Sequence, residues 1–430
     1  MSSPISICQE FSVPDFGRTS RSLFFTRSDV TNLNHGSFGT IPDPIQRACE
    51  ALTRECEGNP DVFIRRQLFE RFRAARESFS KIIGVDPDTC VFVNNVSTAM
   101  NTVLRNFHWS PGDIIIHTDA VYDSISLAIE NIGASPKHSV FHIGQCTSKD
   151  DILTLFREHI SRVKEEMRSQ GIILSSKSTE SVKVVAIIES ITATPSILLP
   201  WKEMVRICHD ENIWSIVDAA HSVGQEEKIG LSEADPDFWM TNCGKWYYAQ
   251  RGCAVLYVPF RNQDVLKNQL VPGIQYPIRG AAPTTFIHKF YWSGLVDPVA
   301  ILSIEFAIAF RKRLGGEKRI NDYCHSLAVA GGKLVANILG TKVLDLTDEA
   351  ELTANMTNIE LPIPSRVMPS KEIFFFFEDE MMGVHKIFVP PFYFQGRWWA
   401  RASAQIYNDL SDFERLGHAL AETCQKISSL

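Results

Sequence analysis

The strongest constraint in this 430-residue chain is a series of short apolar runs without polar alternation, each followed by helix-like sequence. VKVVAIIES (Val182–Ser190) and WSIVDAA (Trp214–Ala220) are the clearest, and DIIIHT (Asp113–Thr118) has the same character. A strand wetted on one face alternates apolar and polar residues, whereas a run apolar at nearly every position suits a strand covered on both faces. Helical stretches between the runs supply the covering layers, so the pattern predicts an α/β fold around a mostly parallel sheet. CVFVNN (Cys90–Asn95) and SVFHI (Ser139–Ile143) read as further strands, and CAVLYVP (Cys253–Pro259) as one suited to an antiparallel edge.

At this length two lobes are expected. Residues 1–29 read as an N-terminal arm, 30–300 as the large domain and 301–430 as a smaller α+β domain. The pattern changes at the Pro- and Gly-rich loop Pro272–Pro283, and a long helix over Asp297–Arg313 leads into the second lobe. There, FFFF (Phe374–Phe377) reads as a buried strand, and Ser411 with Glu414 as a capping box for the last helix. The net charge of −7 and the scattered Lys and Arg give no footprint for nucleic acid. No apolar run has the length of a membrane span. Ten cysteines without paired spacing suit a reducing compartment, and the missing CxxC and HExxH patterns leave a metal site without support. The N-terminal arm is Ser-rich with two early arginines, like some transit peptides, but acidic residues interrupt it and a cytoplasmic home is expected.

In an open α/β sheet, ligands sit beyond the carboxyl ends of the strands, and several chemically capable residues fall there. NNVSTAMN (Asn94–Asn101) runs from a strand into a helix N-terminus, where free N–H groups and the Ser97 and Thr98 hydroxyls suit a phosphate or simply cap the helix. Asp218 closes WSIVDAA, and a carboxylate there needs a cation or donor unless it caps the next turn. His221 follows, as a ligand contact or a structural hydrogen-bonder. Lys245 lies in the turn NCGKW, where a lysine is ordinarily solvated. Arg397 and Arg401, in RWWARAS, are carboxylate-binding forks or salt-bridged arginines packed on tryptophan. Together they make one chemical set. A lysine amine forms a Schiff base with an aldehyde cofactor, a carboxylate holds a pyridine nitrogen protonated, a helix end anchors a phosphate, and an arginine grips an amino acid's carboxylate. That is pyridoxal 5'-phosphate chemistry.

The same residues carry a resemblance. LNHGSFGTIP (Leu33–Pro42), VDAAHSVGQ (Val217–Gln225), NCGKW with RGCAVLYVP (Asn242–Pro259) and RASAQIY (Arg401–Tyr407) resemble fold type I pyridoxal-phosphate enzymes of aminotransferase class V, in the isopenicillin-N-epimerase-like branch. Within it, the chain is similar to fungal hercynylcysteine sulfoxide lyases of ergothioneine biosynthesis and to the Mannich cyclase of the loline pathway. The resemblance implies a seven-stranded large-domain sheet, an amino-acid substrate and a homodimer with active sites at the subunit interface. It implies that Lys245 holds the cofactor and shuttles protons at Cα, that Asp218 pairs with the ring nitrogen and that His221 lies near the 3'-oxygen. Tyr122 would stack on the ring, Val96, Ser97, Thr98 and Asn242 would hold the phosphate, and Asn34, His35 and Gly36 would approach the substrate with Arg401. Two positions depart from the branch: Gly244 stands where it keeps a histidine, and Gly294-Leu295 where it keeps Gly-Thr. Looser cofactor binding follows, unless Tyr247, Tyr248 or Arg251 compensates.

Elimination, epimerisation, transamination and ring closure all begin with loss of the Cα proton. Residues 355–400 contain no cysteine, which argues against the persulfide chemistry of a desulfurase. The resemblance favours β-elimination at a sulfur-substituted amino acid, with a cyclase or epimerase as the alternative. A non-catalytic binding module is disfavoured by the intact Lys245, Asp218 and Arg401.

Overall fold

Burial on both faces drives the uninterrupted runs together. In the computed structural model, which describes residues 3–133, 136–145, 147–172, 174, 177–178, 181–267, 285–292, 294–345 and 347–430, every residue of Val184–Glu189 and Trp214–Asp218 is buried. The central sheet has seven strands: β1 (Cys90–Val93), β2 (Ile114–Thr118), β3 (Lys137–Phe141), β4 (Val184–Glu189), β5 (Trp214–Asp218), β6 (Phe238–Asn242) and β7 (Ala254–Tyr257), in the order β1-β7-β6-β5-β4-β2-β3. The parallel pairings run from β6 to β3, and β7 is antiparallel to both of its neighbours. The antiparallel strand expected at an edge is therefore interior. β1 pairs with its outer side, which explains why Ala254–Tyr257 is buried throughout.

Alternate side chains of each strand feed two cores. Ile114, Ile116, Val184, Ala186 and Ile188 join one, while Ile115, Val185, Ile187 and Ile216 join the other. This period of two converts a continuous apolar run into a double-sided core. Residues 60–83 are helical, with Phe63–Gln67 wound as a π-helix. Pro298–Arg313 leads to Gly316–Leu339, which packs with the last helix, Leu410–Ser428, on a second sheet. That sheet holds β8 (Met356–Glu360), β9 (Pro391–Phe394) and β10 (Arg397–Ser403), antiparallel, with β10 in the middle.

Two expectations for this region are corrected. Phe374–Phe377 lies in a helix, Lys371–Glu378, because Ser370 caps it by accepting the Ile373 N–H. Four consecutive phenylalanines on a helix point in several directions, so Phe377 is buried and Phe375 is exposed. The capping box of the last helix is made by Asp409 and Asp412, not by Ser411 and Glu414. The loop Pro272–Pro283 lies outside the described residues. Among the described residues no helix is long and apolar enough to cross a membrane, and nine cysteines are buried and unbridged.

Candidate active site

Strands β4, β5 and β6 end side by side, and the turns beyond them enclose a small cavity of about 30 Å3 with the turn after β1. Its wall includes Val96, Ser97, Tyr122, Asp218, His221, Asn242 and Lys245, so residues from four separate stretches of sequence converge. The helix Val96–Asn106 begins there. Asn95 caps it by accepting the Thr98 N–H at 2.8 Å, and Asn242 accepts the Val96 N–H at 3.2 Å. The Ser97 N–H, in the first turn, has no intrahelical carbonyl to meet, and its hydroxyl lies 2.8 Å from that of Ser124. A helix end of this kind suits a phosphate.

Lys245 follows β6 in a tight turn. Its Nζ lies 3.1 Å from Nε2 of His221 and 5.9 Å from the centre of the Tyr122 ring. Burial depresses its pKa to about 8, with nearby Asp218 opposing the fall and Arg401 adding to it. Burial also holds His221 well below the usual imidazole range. Asp218 accepts the Ala220 N–H at 2.9 Å; burial raises its carboxyl, and the Ala220 N–H and Lys245 pull it back down.

Arg401 reaches the site from β10 of the smaller sheet. One Nη donates to the Ala193 carbonyl at 2.8 Å; the other donates to Asn34 at 3.1 Å and to Ser37 at 2.7 Å. Its Nε has no partner and no carboxylate pairs with it among the described residues. Burial lowers its pKa to about 10. A buried guanidinium bound only to neutral groups has its desolvation uncompensated, an arrangement that suits an anion. Gly36 is close-packed: a Cβ there would lie 2.6 Å from Sδ of Met356. His35 is buried, with Nδ1 2.9 Å from the Tyr407 hydroxyl, and burial keeps it neutral, with a pKa of about 3.

Two expected residues face elsewhere. Arg397 begins β10 at the far end from Arg401, is paired with Glu360, and lines a separate cavity with Lys342 and Trp399. Thr98 contributes its N–H to the cap, and it lines a larger apolar cavity of about 250 Å3 with Phe69, Phe92 and Phe290. That cavity contains Arg73 and Arg76, both engaged with acidic partners, and among the described residues no lysine, histidine or acid lies on its wall. Nor do the three suggested substitutes at the phosphate side reach the cavity. Tyr247 and Tyr248 lie under the Arg311 guanidinium, at 4.8 and 5.0 Å, while Arg251 binds the carbonyls of Phe38 and Gly39.

Glu189 is the residue missing from the expected set. It closes β4 as Asp218 closes β5, is 3% exposed, and lines the cavity. Thr118 donates to its Oε2 at 3.0 Å and Oε1 has no partner. The signal was present, since VKVVAIIES ends on an acid as WSIVDAA does.

The donor set fits an aldehyde cofactor carrying a phosphate: a depressed-pKa amine, a buried carboxyl for a ring nitrogen, an aromatic face and a helix end. A family model for aminotransferase class V matches residues 40–363, and the chain belongs to that family. It is thus a class V pyridoxal-5'-phosphate-dependent enzyme acting on an amino-acid substrate. The hercynylcysteine sulfoxide lyase of Schizosaccharomyces pombe is 27% identical over 412 residues, covering 95% of this chain and 98% of that protein. The L-cysteine desulfhydrase-like protein lolT2 of Epichloe uncinata is also 27% identical, covering 96% and 95%. Among solved structures, the cystine C–S lyase C-DES bound to cysteine persulfide shares the fold with a TM-score of 0.71 at 16% identity, covering 92% of this chain and 98% of that one. A variant of C-DES with glycine covalently linked to its pyridoxal-phosphate cofactor gives 0.72 at 17%, covering 94% and 99%.

Proposed function

We propose that this enzyme catalyses β-elimination at a cysteine-derived amino acid, breaking its Cβ–S bond. The observation that carries the substrate class is the buried Arg401, whose unpaired Nε faces no protein carboxylate. In this reading Arg401 grips the α-carboxylate, while Asn34 and Ser37 hold the guanidinium in place. Lys245, with its pKa lowered by burial to about 8, removes the Cα proton. Bound pyridoxal phosphate supplies the electron sink that stabilises negative charge at Cα. Asp218 holds the proton on the ring nitrogen, Tyr122 covers one ring face, and Val96, Ser97 and Asn242 surround the phosphate. The electron pair left at Cα forms the new double bond as sulfur leaves with the Cβ–S electrons, and water completes the products as thiol, pyruvate and ammonia.

The leaving group is assigned to sulfur on the cysteine-based names of the relatives, and among the described residues the cavity wall has no cysteine to carry a persulfide, which favours elimination over desulfuration. Residues 30–300 serve as the cofactor lobe and 301–430 as the lobe that brings Arg401. A second copy completes the site in this reading, covering Leu295 and Val296, which are 80% and 41% exposed. The unbridged cysteines accord with a reducing cytoplasm. The test is stoichiometric release of pyruvate and ammonia with thiol from S-substituted cysteines, and with sulfenic acid from their sulfoxides. Solvent deuterium entering at Cα with the side chain retained would assign the chain to epimerisation or ring closure instead.

A further inference from the structure

Lys245 does not meet Asp218 directly; its hydrogen-bonding neighbour is His221. The indole Nε1 of Trp246 donates to Nδ1 of His221 at 3.2 Å, and Nε2 of His221 lies 3.1 Å from Nζ of Lys245. Both ring nitrogens are thereby engaged, so the ring has one orientation that serves both contacts.

The direction of each bond follows from what the groups can do. An indole nitrogen only donates, so Nδ1 of His221 is an acceptor and carries no proton. A neutral imidazole keeps one N–H, which must then be on Nε2. That N–H points at the lysine nitrogen, and the bond exists only if the nitrogen offers a lone pair. An ammonium offers none. For Lys245 to be charged and still bond to His221, the imidazole would have to take the other tautomer and give up the Trp246 bond.

Packing holds both the backbone and the ring of Trp246 in place. Arg311 donates to the Trp246 carbonyl at 2.9 Å, and Gly224, at φ +94°, passes so close that a Cβ would lie 2.6 Å from that oxygen. A Cβ on Gly36 would touch the indole ring at 3.1 Å, and the His35 ring packs 5.2 Å from it. Arg311 is itself clamped between Tyr247 and Tyr248 and bound to Glu317, which gives the aromatic pair after Lys245 a purpose.

We propose that Trp246 is a positioning residue: by fixing His221 as the Nε2–H tautomer, it holds Lys245 as the free amine, the form that attacks an aldehyde and accepts a proton. The inference rests on Lys245 being the reactive amine and is independent of which bond the enzyme breaks. The other groups that face the amine are Asp218 beyond β5, Tyr122 ahead of its helix, Glu189 at the end of β4 and Arg401 from β10. Asp218 favours the ammonium; Arg401 and burial oppose it.

Two measurements test this without turnover. In apoprotein labelled with 15N-histidine and held at a pH above the Lys245 midpoint of about 8, the His221 ring is expected as the Nε2–H tautomer; an Nδ1–H ring or an imidazolium there would overturn the proposal. In the second, trace acetylation of apoprotein by acetic anhydride is followed against pH on the Lys245 peptide by mass spectrometry. The midpoint is expected at about 8 in the native chain, and at least one pH unit higher in Trp246→Phe, which keeps the ring but lacks the donor. An unchanged midpoint in a folded Trp246→Phe protein would overturn the role of the indole. The tautomer measurement needs only the native chain, so it stands even if the variant does not fold. Failure of the C–S lyase reading would show separately, as absent pyruvate with tautomer and midpoint as expected.

Discussion

Glu189 and Asp218 stand opposite one another at the ends of adjacent parallel strands, two buried carboxyls on one cavity wall. Asp218 has the Ala220 N–H and the nearby Lys245 to stabilise its charge, whereas Glu189 has a single hydroxyl donor, Thr118. Burial, reinforced by Asp218, pushes Glu189 up to about 8. Like charges this close do not ionise together, and the proton resides on Glu189.

The stability consequence has a definite sign. In the unfolded chain Glu189 loses its proton near 4.5, and in the folded chain near 8. Its contribution is therefore fully present below the lower value and lost as pH rises to the upper one, at about 1.4 kcal/mol per pH unit. Glu189→Gln keeps the shape and cannot ionise. In urea unfolding of apoprotein the variant should match the native chain near pH 4.5 and exceed it by roughly 2–4 kcal/mol at pH 7.5. Equal pH slopes for the two proteins would show that Glu189 is ionised in the fold.

Arg401→Lys tests the carboxylate site. Lysine retains the positive charge but lacks the planar fork, and it cannot reach Ala193, Asn34 and Ser37 together as the guanidinium does. Loss of a charge-assisted bidentate contact is worth about 2–3 kcal/mol, so kcat/KM should fall by roughly 30–150-fold. Most of the loss should appear in KM, because the carboxylate is held in ground and transition states alike. A loss confined to kcat would mean that Arg401 acts on the reacting centre.

How far this site was legible in the chain depends on which signals are local. Asp218 sits at the end of a buried run that the apolar pattern reveals, whereas Lys245 follows Phe238–Asn242, a strand the pattern does not predict, so its place rests on the chemical set and the resemblance. Glu189 satisfied the same rule yet was passed over, because nothing local distinguishes an acid closing a strand from an acid opening a turn. Arg397 and Arg401 share one face of β10, but they lie about 13 Å apart at 3.3 Å per residue, and only tertiary packing decides which faces the cavity. The Phe374–Phe377 run misled because hydrophobicity without periodicity does not separate a strand from a helix. Trp246 stands in the sequence only as the residue after Lys245; its donor role requires the His221 ring, which is brought in by a different strand.

Away from the site, Lys183 and Asp113 form an ion pair at 2.7 Å with side chains 2% and 0% exposed, tying the start of β4 to that of β2. Asp113 also accepts the N–H groups of Ser110 and Lys183. Lys183→Met leaves that carboxylate buried without its cation, which should cost about 3–5 kcal/mol. Chemical unfolding of Lys183→Met and of the double variant with Asp113→Asn measures it, and the second change should recover part of the loss. A single variant as stable as the native chain would mean that water replaces the ammonium.

Gly244 occupies the place where the resembled branch keeps a histidine, and its surroundings decide what restoring that residue would do. A Cβ at Gly244 would lie 2.9 Å from the Gln250 carbonyl oxygen and 3.1 Å from Cα of Arg251. Both are backbone atoms of the loop that returns to β7, so neither can swing aside as a side-chain tip would. The turn is gripped from the other side as well, since Gly39 at φ +65° packs so closely that a Cβ there would lie 2.1 Å from the Gly244 carbonyl oxygen. Gly244→His therefore pushes the Lys245 turn away from Arg251 before its ring reaches any phosphate. Overpacking of this kind costs about 1–3 kcal/mol, and because the displaced turn carries Lys245, cofactor affinity should fall along with stability. Fluorometric titration of the apoprotein with pyridoxal phosphate, beside the thermal melt, separates the two effects. Tighter cofactor binding in Gly244→His at unchanged stability would show that the turn has room and that glycine is there for another reason.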